Sequence, residues 1–127
     1  MYTNEKNIIH KDLSYKIVGL AIQVHNKLGC GFMEKVYENA MMVLLRREGV
    51  GSKQQAPIPV YFEGEVVGNY FADILIEDKI ILEMKVSEKI VDIYRAQILN
   101  YLKATRIELG MIFNFGKKRF EYERFVL

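Results

Sequence analysis

The segment from Phe71 to Val86 is an apolar run broken by charge at a few places: Asp73, then Glu77, Asp78 and Lys79 together, then Glu83 and Lys85. Ile and Leu on either side of the central charged cluster predict two β-strands joined by a short turn. Side chains alternate across a strand, so Glu83 and Lys85 share a face, roughly 7 Å apart. A three-residue loop at Glu77, Asp78 and Lys79 pairs Ile76 with Ile80 and sets Asp73 opposite Glu83. A two-residue loop would put the two acids on opposite faces, because a slip of one residue flips a strand. We read the three-residue loop.

On that reading Ala72, Ile74, Ile76, Ile80, Leu82, Met84 and Val86 form one apolar face, and Phe71, Leu75 and Ile81 accompany the acids on the other. A strand pair apolar on both sides belongs in the middle of a sheet, covered on both faces. Two carboxylates facing each other there repel, and buried like charges need a cation. Lys85 supplies one positive charge. A hard divalent ion with oxygen ligands, Mg²⁺ or Mn²⁺, balances the rest. The plainer alternative makes Glu83 and Lys85 a surface ion pair and Asp73 an ordinary partner.

The remaining sequence bounds the class of protein. A chain of 127 residues is read as one domain, residues 1–127, long enough to bury a core. A net charge of +2 neither demands nor excludes a nucleic-acid partner. The lone Cys30, between Gly29 and Gly31, excludes an internal disulfide and suits a reducing cytoplasm; we read it as a small packing residue. No apolar run approaches the roughly 18 residues of a membrane span, and the N-terminus lacks a signal-peptide core.

Along the chain, Leu13, Ile17, Leu20, Ala21, Val24 and Leu28 recur at helical spacing, predicting a helix from Asn7 to Leu28 capped by Gly29. His25 beside that stripe reads as a packed or hydrogen-bonded structural histidine. A second helix is expected from Met33 to Glu48, with Val36, Tyr37, Ala40, Met41, Leu44 and Leu45 as its core stripe. Glu34 in its first turn suits the helix dipole, yet Glu34 and Tyr37 lie on neighbouring positions of one face, so Glu34 also qualifies to point at the sheet. Lys53 to Phe62 is a strand that Pro57 and Pro59 assign to an edge or an irregular start. Glu63-Gly64 is a turn, and Glu65 to Ile76 is the next strand. Val91 to Thr105 is a helix with Tyr94, Ile98, Tyr101, Leu102 and Thr105 as its packing stripe. Gln97 and Tyr101 share a face of it, an arrangement that packing alone often produces. Leu109 to Phe115 and Phe120 to Val126 are strands separated by the basic turn Gly116-Lys117-Lys118-Arg119, read as a solvated loop or a phosphate contact. The last segment, Phe120 to Leu127, is a candidate edge for pairing with a second copy as a homo-oligomer.

Asp73 followed by Glu83-Met84-Lys85 resembles the core motif of the PD-(D/E)XK nuclease superfamily, without the Pro before the first acid. Gly31-Phe32-Met33-Glu34-Lys35-Val36-Tyr37 fits the Gly-x-x-Glu-x-x-Tyr signature of a small bacterial and archaeal group within it, the GxxExxY proteins. Gln97 to Tyr101 resembles the Gln-x-x-x-Tyr motif of its exonuclease-like branch. One departure is Phe71, where most members of this pattern carry Arg. The resemblance implies an α/β (α+β) fold with a restriction-endonuclease-like αβββαβ core: a mixed central sheet flanked by helices, plus an extra N-terminal helix and a C-terminal strand. It implies a Mg²⁺- or Mn²⁺-dependent phosphodiesterase acting on nucleic acid, DNA ahead of RNA. Asp73, Glu83, the Met84 carbonyl and Glu34 would be the metal ligands. Lys85 would orient or deprotonate the attacking water, and Gln97 and Tyr101 would position Lys85 or a phosphate oxygen. Two alternatives stand beside this one: a catalytically silent module that binds nucleic acid or protein, and a charge network within an oligomer interface.

Overall fold

A computed structural model describes residues 8–127. The chain runs α1 (Lys11–Leu28), α2 (Glu34–Arg47), β1 (Ser52–Phe62), β2 (Glu65–Ile76), β3 (Ile80–Lys85), α3 (Asp92–Thr105), β4 (Leu109–Asn114) and β5 (Glu121–Val126). This is the helix, helix, three strands, helix, two strands order expected from the sequence. α1 begins later than its apolar spacing suggests. His10, left-handed at φ 50°, precedes it, and Asn7 lies outside the described residues.

The five strands form one sheet in the order β1-β2-β3-β4-β5. β3 and β4 are parallel; the other neighbours are antiparallel. The proline-bearing β1 is an edge, as expected, and so is the C-terminal β5. β3 and β4 are buried nearly throughout because helices cover both faces. On one face α1 and α2 pack over Ile74, Ile76, Ile80, Leu82, Met84, Met111 and Phe113. On the other, α3 lays Ile98, Tyr101 and Leu102 over Ala56, Ile58, Ala72, Ile81 and Ile112.

The β2–β3 loop has three residues: Ile76 pairs with Ile80, Leu75 with Ile81 and Ile74 with Leu82. Glu77 and Asp78 both adopt positive φ to make it, Lys79 N–H donates to Ile76 O at 2.8 Å, and the Glu77 carboxylate takes Gly51 N–H at 3.0 Å. One expectation for the hairpin fails. Ala72 does not share a face with Ile74 but packs in the core under α3. Alternation breaks at Asp73, and the neighbouring strand breaks with it. Gln54 pairs with Ile74 and Ala56 with Ala72, while Gln55 between them is left-handed at φ 53°.

Tyr37 fixes where α2 starts. It is fully buried, stacks on Phe115 at 4.6 Å between ring centroids, and donates its hydroxyl to Gly29 O at 2.6 Å. Val36, expected in the core, is partly exposed, and Glu38 is buried in the helix instead. His25 is the structural histidine anticipated: buried against Phe115 and Phe120, it bonds through Nε2 to Lys117 O at 2.7 Å. Cys30 is exposed rather than packed, because the α1–α2 connection runs over the surface.

The ends of β3 and β4 are clasped together. Asn114 bonds both main-chain groups of Ser87, at 3.1 and 3.0 Å. Gly116 approaches so closely that an added Cβ would lie 2.3 Å from Ser87 N. Gly116→Ala is therefore expected to cost about 2 kcal/mol or more, as overpacking against main chain does. Gly19, in mid-α1 with open space around it, provides the contrast: Gly19→Ala is expected to stabilise by up to about 1 kcal/mol. Urea unfolding of the two variants checks both signs.

Candidate active site

Beyond Ile74 and Leu82 the regular β2–β3 pairing gives way, and side chains replace it. Asp73 N–H donates to Glu83 Oε2 at 2.8 Å, and Met84 N–H donates to Asp73 Oδ2 at 2.7 Å. The two acids thus meet as the three-residue loop predicts, each held by a main-chain amide. Glu83 is 4% exposed.

Burial pushes the Glu83 carboxyl up to about 8, and the Asp73 charge adds to the rise; the Asp73 N–H and Lys85 oppose it. Asp73 is raised by burial too, against the Met84 N–H that lowers it, with Glu38 adding repulsion and Lys85 attraction. Lys85, on the same face of β3 as Glu83, places Nζ 3.4 Å from Gln97 Oε1 and 4.5 Å from the centre of the Tyr94 ring. Gln97 also bonds Tyr101, whose hydroxyl is raised by burial and then by the charges of Glu83 and Asp73. Thus α3 supplies Gln97 and Tyr101 to the β3 edge of the site, as its register predicts. Gly110 in β4 lets the helix come close: a Cβ there would meet Ile98 Cδ1 at 2.8 Å.

α2 brings a second acid to the site besides the Glu34 singled out in the sequence. Glu34 is exposed in the first turn and lines a hollow of about 680 Å³ with Glu38, Gln55, Asp73 and Val86. Glu38, one turn on, is 3% exposed. It accepts hydrogen bonds from Lys35 Nζ at 2.8 Å, Gln55 Nε2 at 3.0 Å and Gln54 Nε2. Gln55 Nε2 also lies 3.5 Å from Asp73 Oδ1, so it bridges the helix acid and the strand acid. Glu38 was findable: it interrupts the buried stripe between Tyr37 and Met41, four residues after Glu34. Gln55 carries no such signal, because its left-handed backbone has no mark in a non-glycine sequence. Met84 is fully buried and reaches the acids through its N–H. Phe71, in the place of the expected Arg, is half exposed.

The donor set suits a hard cation. Asp73 and Glu83 offer carboxylate oxygens whose charge the protein itself compensates only in part, through Lys85. Among the described residues no three or more His, Cys, Asp or Glu side chains are gathered into a cage. Two carboxylates fit Mg²⁺, an ion that keeps several of its waters and binds through one or two carboxylates.

Comparison with known proteins adds the family. The model that describes the PD-(D/E)XK nuclease superfamily matches residues 11–125. No curated protein matches the sequence. Among solved structures, the crystal structure of SSO0001 superposes with a TM-score of 0.54 at 13% identity, over 92% of this chain and 59% of that one. That likeness is one of fold, and this chain spans about three fifths of the other's length. Among the described residues no helix is long and apolar enough to cross a membrane.

The raised carboxyls fix the sign of a pH effect. A folded-state Glu83 near 8 against an ordinary 4.5 means that the folded protein holds more protons than the unfolded chain between those values. Stability of the metal-free protein is therefore expected to fall as pH rises from about 5 to about 8, by up to about 1.4 kcal/mol per pH unit for each extra proton. Urea unfolding in EDTA across that range should show the decline, and Asp73→Asn with Glu83→Gln should flatten it.

Proposed function

The chain belongs to the PD-(D/E)XK nuclease superfamily, and on that footing we propose that it is a metal-dependent nuclease hydrolysing phosphodiester bonds of DNA, ahead of RNA. The observation that carries the reading is the Asp73–Glu83 pair, Glu83 buried and Asp73 half-buried, both raised, with Lys85 on the same strand face as Glu83.

In this reading Asp73 and Glu83 hold Mg²⁺ or Mn²⁺, with the Met84 carbonyl and a glutamate of α2 beside them. Glu34 was the choice from sequence; the burial of Glu38 and its bridge through Gln55 to Asp73 favour Glu38. When bound, the ion supplies Lewis acidity at a phosphoryl oxygen and a water of lowered pKa. Lys85 would hydrogen-bond the attacking water and offset negative charge developing at phosphorus. Gln97 holds the Lys85 amine at 3.4 Å and bonds Tyr101, so the pair orients the lysine from the α3 side.

The test is cleavage of labelled DNA with Mn²⁺, Mg²⁺ or EDTA. Asp73→Ala, Glu83→Ala and Lys85→Ala are each expected to lower the rate about 10²–10⁴-fold at unchanged fold. Gln97→Ala, a positioning change, should cost about tenfold. Cleavage that survives the three core substitutions contradicts the proposal, and metal-responsive binding without cleavage favours the silent binding module.

A further inference from the structure

A second groove, of about 710 Å³, lies between the β1–β2 hairpin and α3. It shares Gln97 and Tyr101 with the candidate active site and continues past them to Tyr61, Tyr70, Lys103 and Arg106. We propose that this groove binds unpaired nucleic acid, a single strand or a frayed end, and leads it to the Asp73–Glu83–Lys85 site. The inference rests on the nuclease reading of that site.

Charge is the first observation. Some surface cations of the described residues sit beside acids, Lys16 with Glu48, Lys53 with Asp78, Lys117 with Glu121, and Arg95 with Asp92 and Glu123. The described lining of the groove carries Lys103 and Arg106 and no carboxylate. Its complement is an anion. Arg106 also occupies the left-handed residue that ends α3, at φ 65°, a position where glycine is the ordinary choice.

The second observation is aromatic. Tyr61 and Tyr70 are 62% and 50% exposed on neighbouring strands, and Tyr70 lies 5.9 Å from Tyr101 at the active-site end. Exposed rings beside cations form the stacking platform of proteins that bind single strands. Base faces are available for stacking only where pairing is broken, since a duplex keeps them inside its own stack. The volume suits a ligand of drug size, hence about one or two nucleotides.

The experiment is fluorescence anisotropy of the wild-type chain in EDTA, where metal-dependent cleavage is silent. The probes are a labelled oligodeoxynucleotide of about 12 nucleotides, within the span of known single-strand sites, and its duplex. The expected result is tighter binding of the single strand, weakened about tenfold or more by Tyr61→Ala with Tyr70→Ala. Lys103→Gln with Arg106→Gln should reduce the slope of log K against log salt by about 1.4, two phosphate contacts' worth for a single strand. These side chains are exposed, so unchanged thermal unfolding verifies that the variants fold. Equal affinity in all variants, preference for duplex, or no binding overturns the proposal. So does self-association in sedimentation that the tyrosine variant abolishes, which assigns the groove to a protein partner. Metal-dependent cleavage at wild-type rate by the groove variants would remove the groove and leave the active-site reading standing.

Discussion

The amide groups of Asp73 and Met84 are held by carboxylates, Asp73 N–H by Glu83 and Met84 N–H by Asp73. This exchange lets two acids sit in a sheet that otherwise buries Ile, Leu and Met. A buried carboxylate without donors is costly; here each receives a main-chain hydrogen bond that partly offsets its desolvation. The cost that remains is visible in both raised carboxyls. On the proposed reading, a divalent ion would relieve both acids at once.

The surrounding elements are arranged about that exchange. Tyr37, anchored to Gly29 O and stacked on Phe115, sets the start of α2 and thereby delivers Glu38 to the sheet. Gln55 turns left-handed at the level where β2 breaks, and its amide reaches both Glu38 and Asp73. A non-glycine residue in that conformation costs about 1–3 kcal/mol and persists where its surroundings enforce it. From the other face α3 approaches over Gly110 and brings Gln97 and Tyr101 to Lys85.

Much of this was legible in the sequence, for reasons that differ by residue. The meeting of Asp73 with Glu83 follows from loop length, a local property. The Gln97–Tyr101 pair follows from helical period. The order of elements follows from apolar spacing and turn residues, and the family model covers nearly the same span. Ala72 was misplaced because strict alternation assumes an unbroken strand, and the strand breaks at Asp73. Glu34 was singled out on the Gly-x-x-Glu-x-x-Tyr pattern and the burial of Glu38 was not anticipated, because spacing along a helix gives a shared face but not the angle at which that face meets the sheet. That angle is set by Tyr37 and its contacts with Gly29 and with Phe115, the latter distant in sequence. The groove beside α3 depends on how the hairpin and the helix sit in space, which no local pattern encodes.

The most direct test of the central claim is unfolding of the wild type and of Asp73→Asn/Glu83→Gln at pH near 7.5 as Mn²⁺ is raised. The neutral isosteres keep the shape of the pair while removing its charge. A cation bound only by the folded state should stabilise the wild type in proportion to the logarithm of its excess, by about 2.7 kcal/mol at a hundredfold excess over Kd. The double variant should show no such gain. An equal gain in both proteins, or none in either, would contradict the account of Asp73 and Glu83 as a cation site.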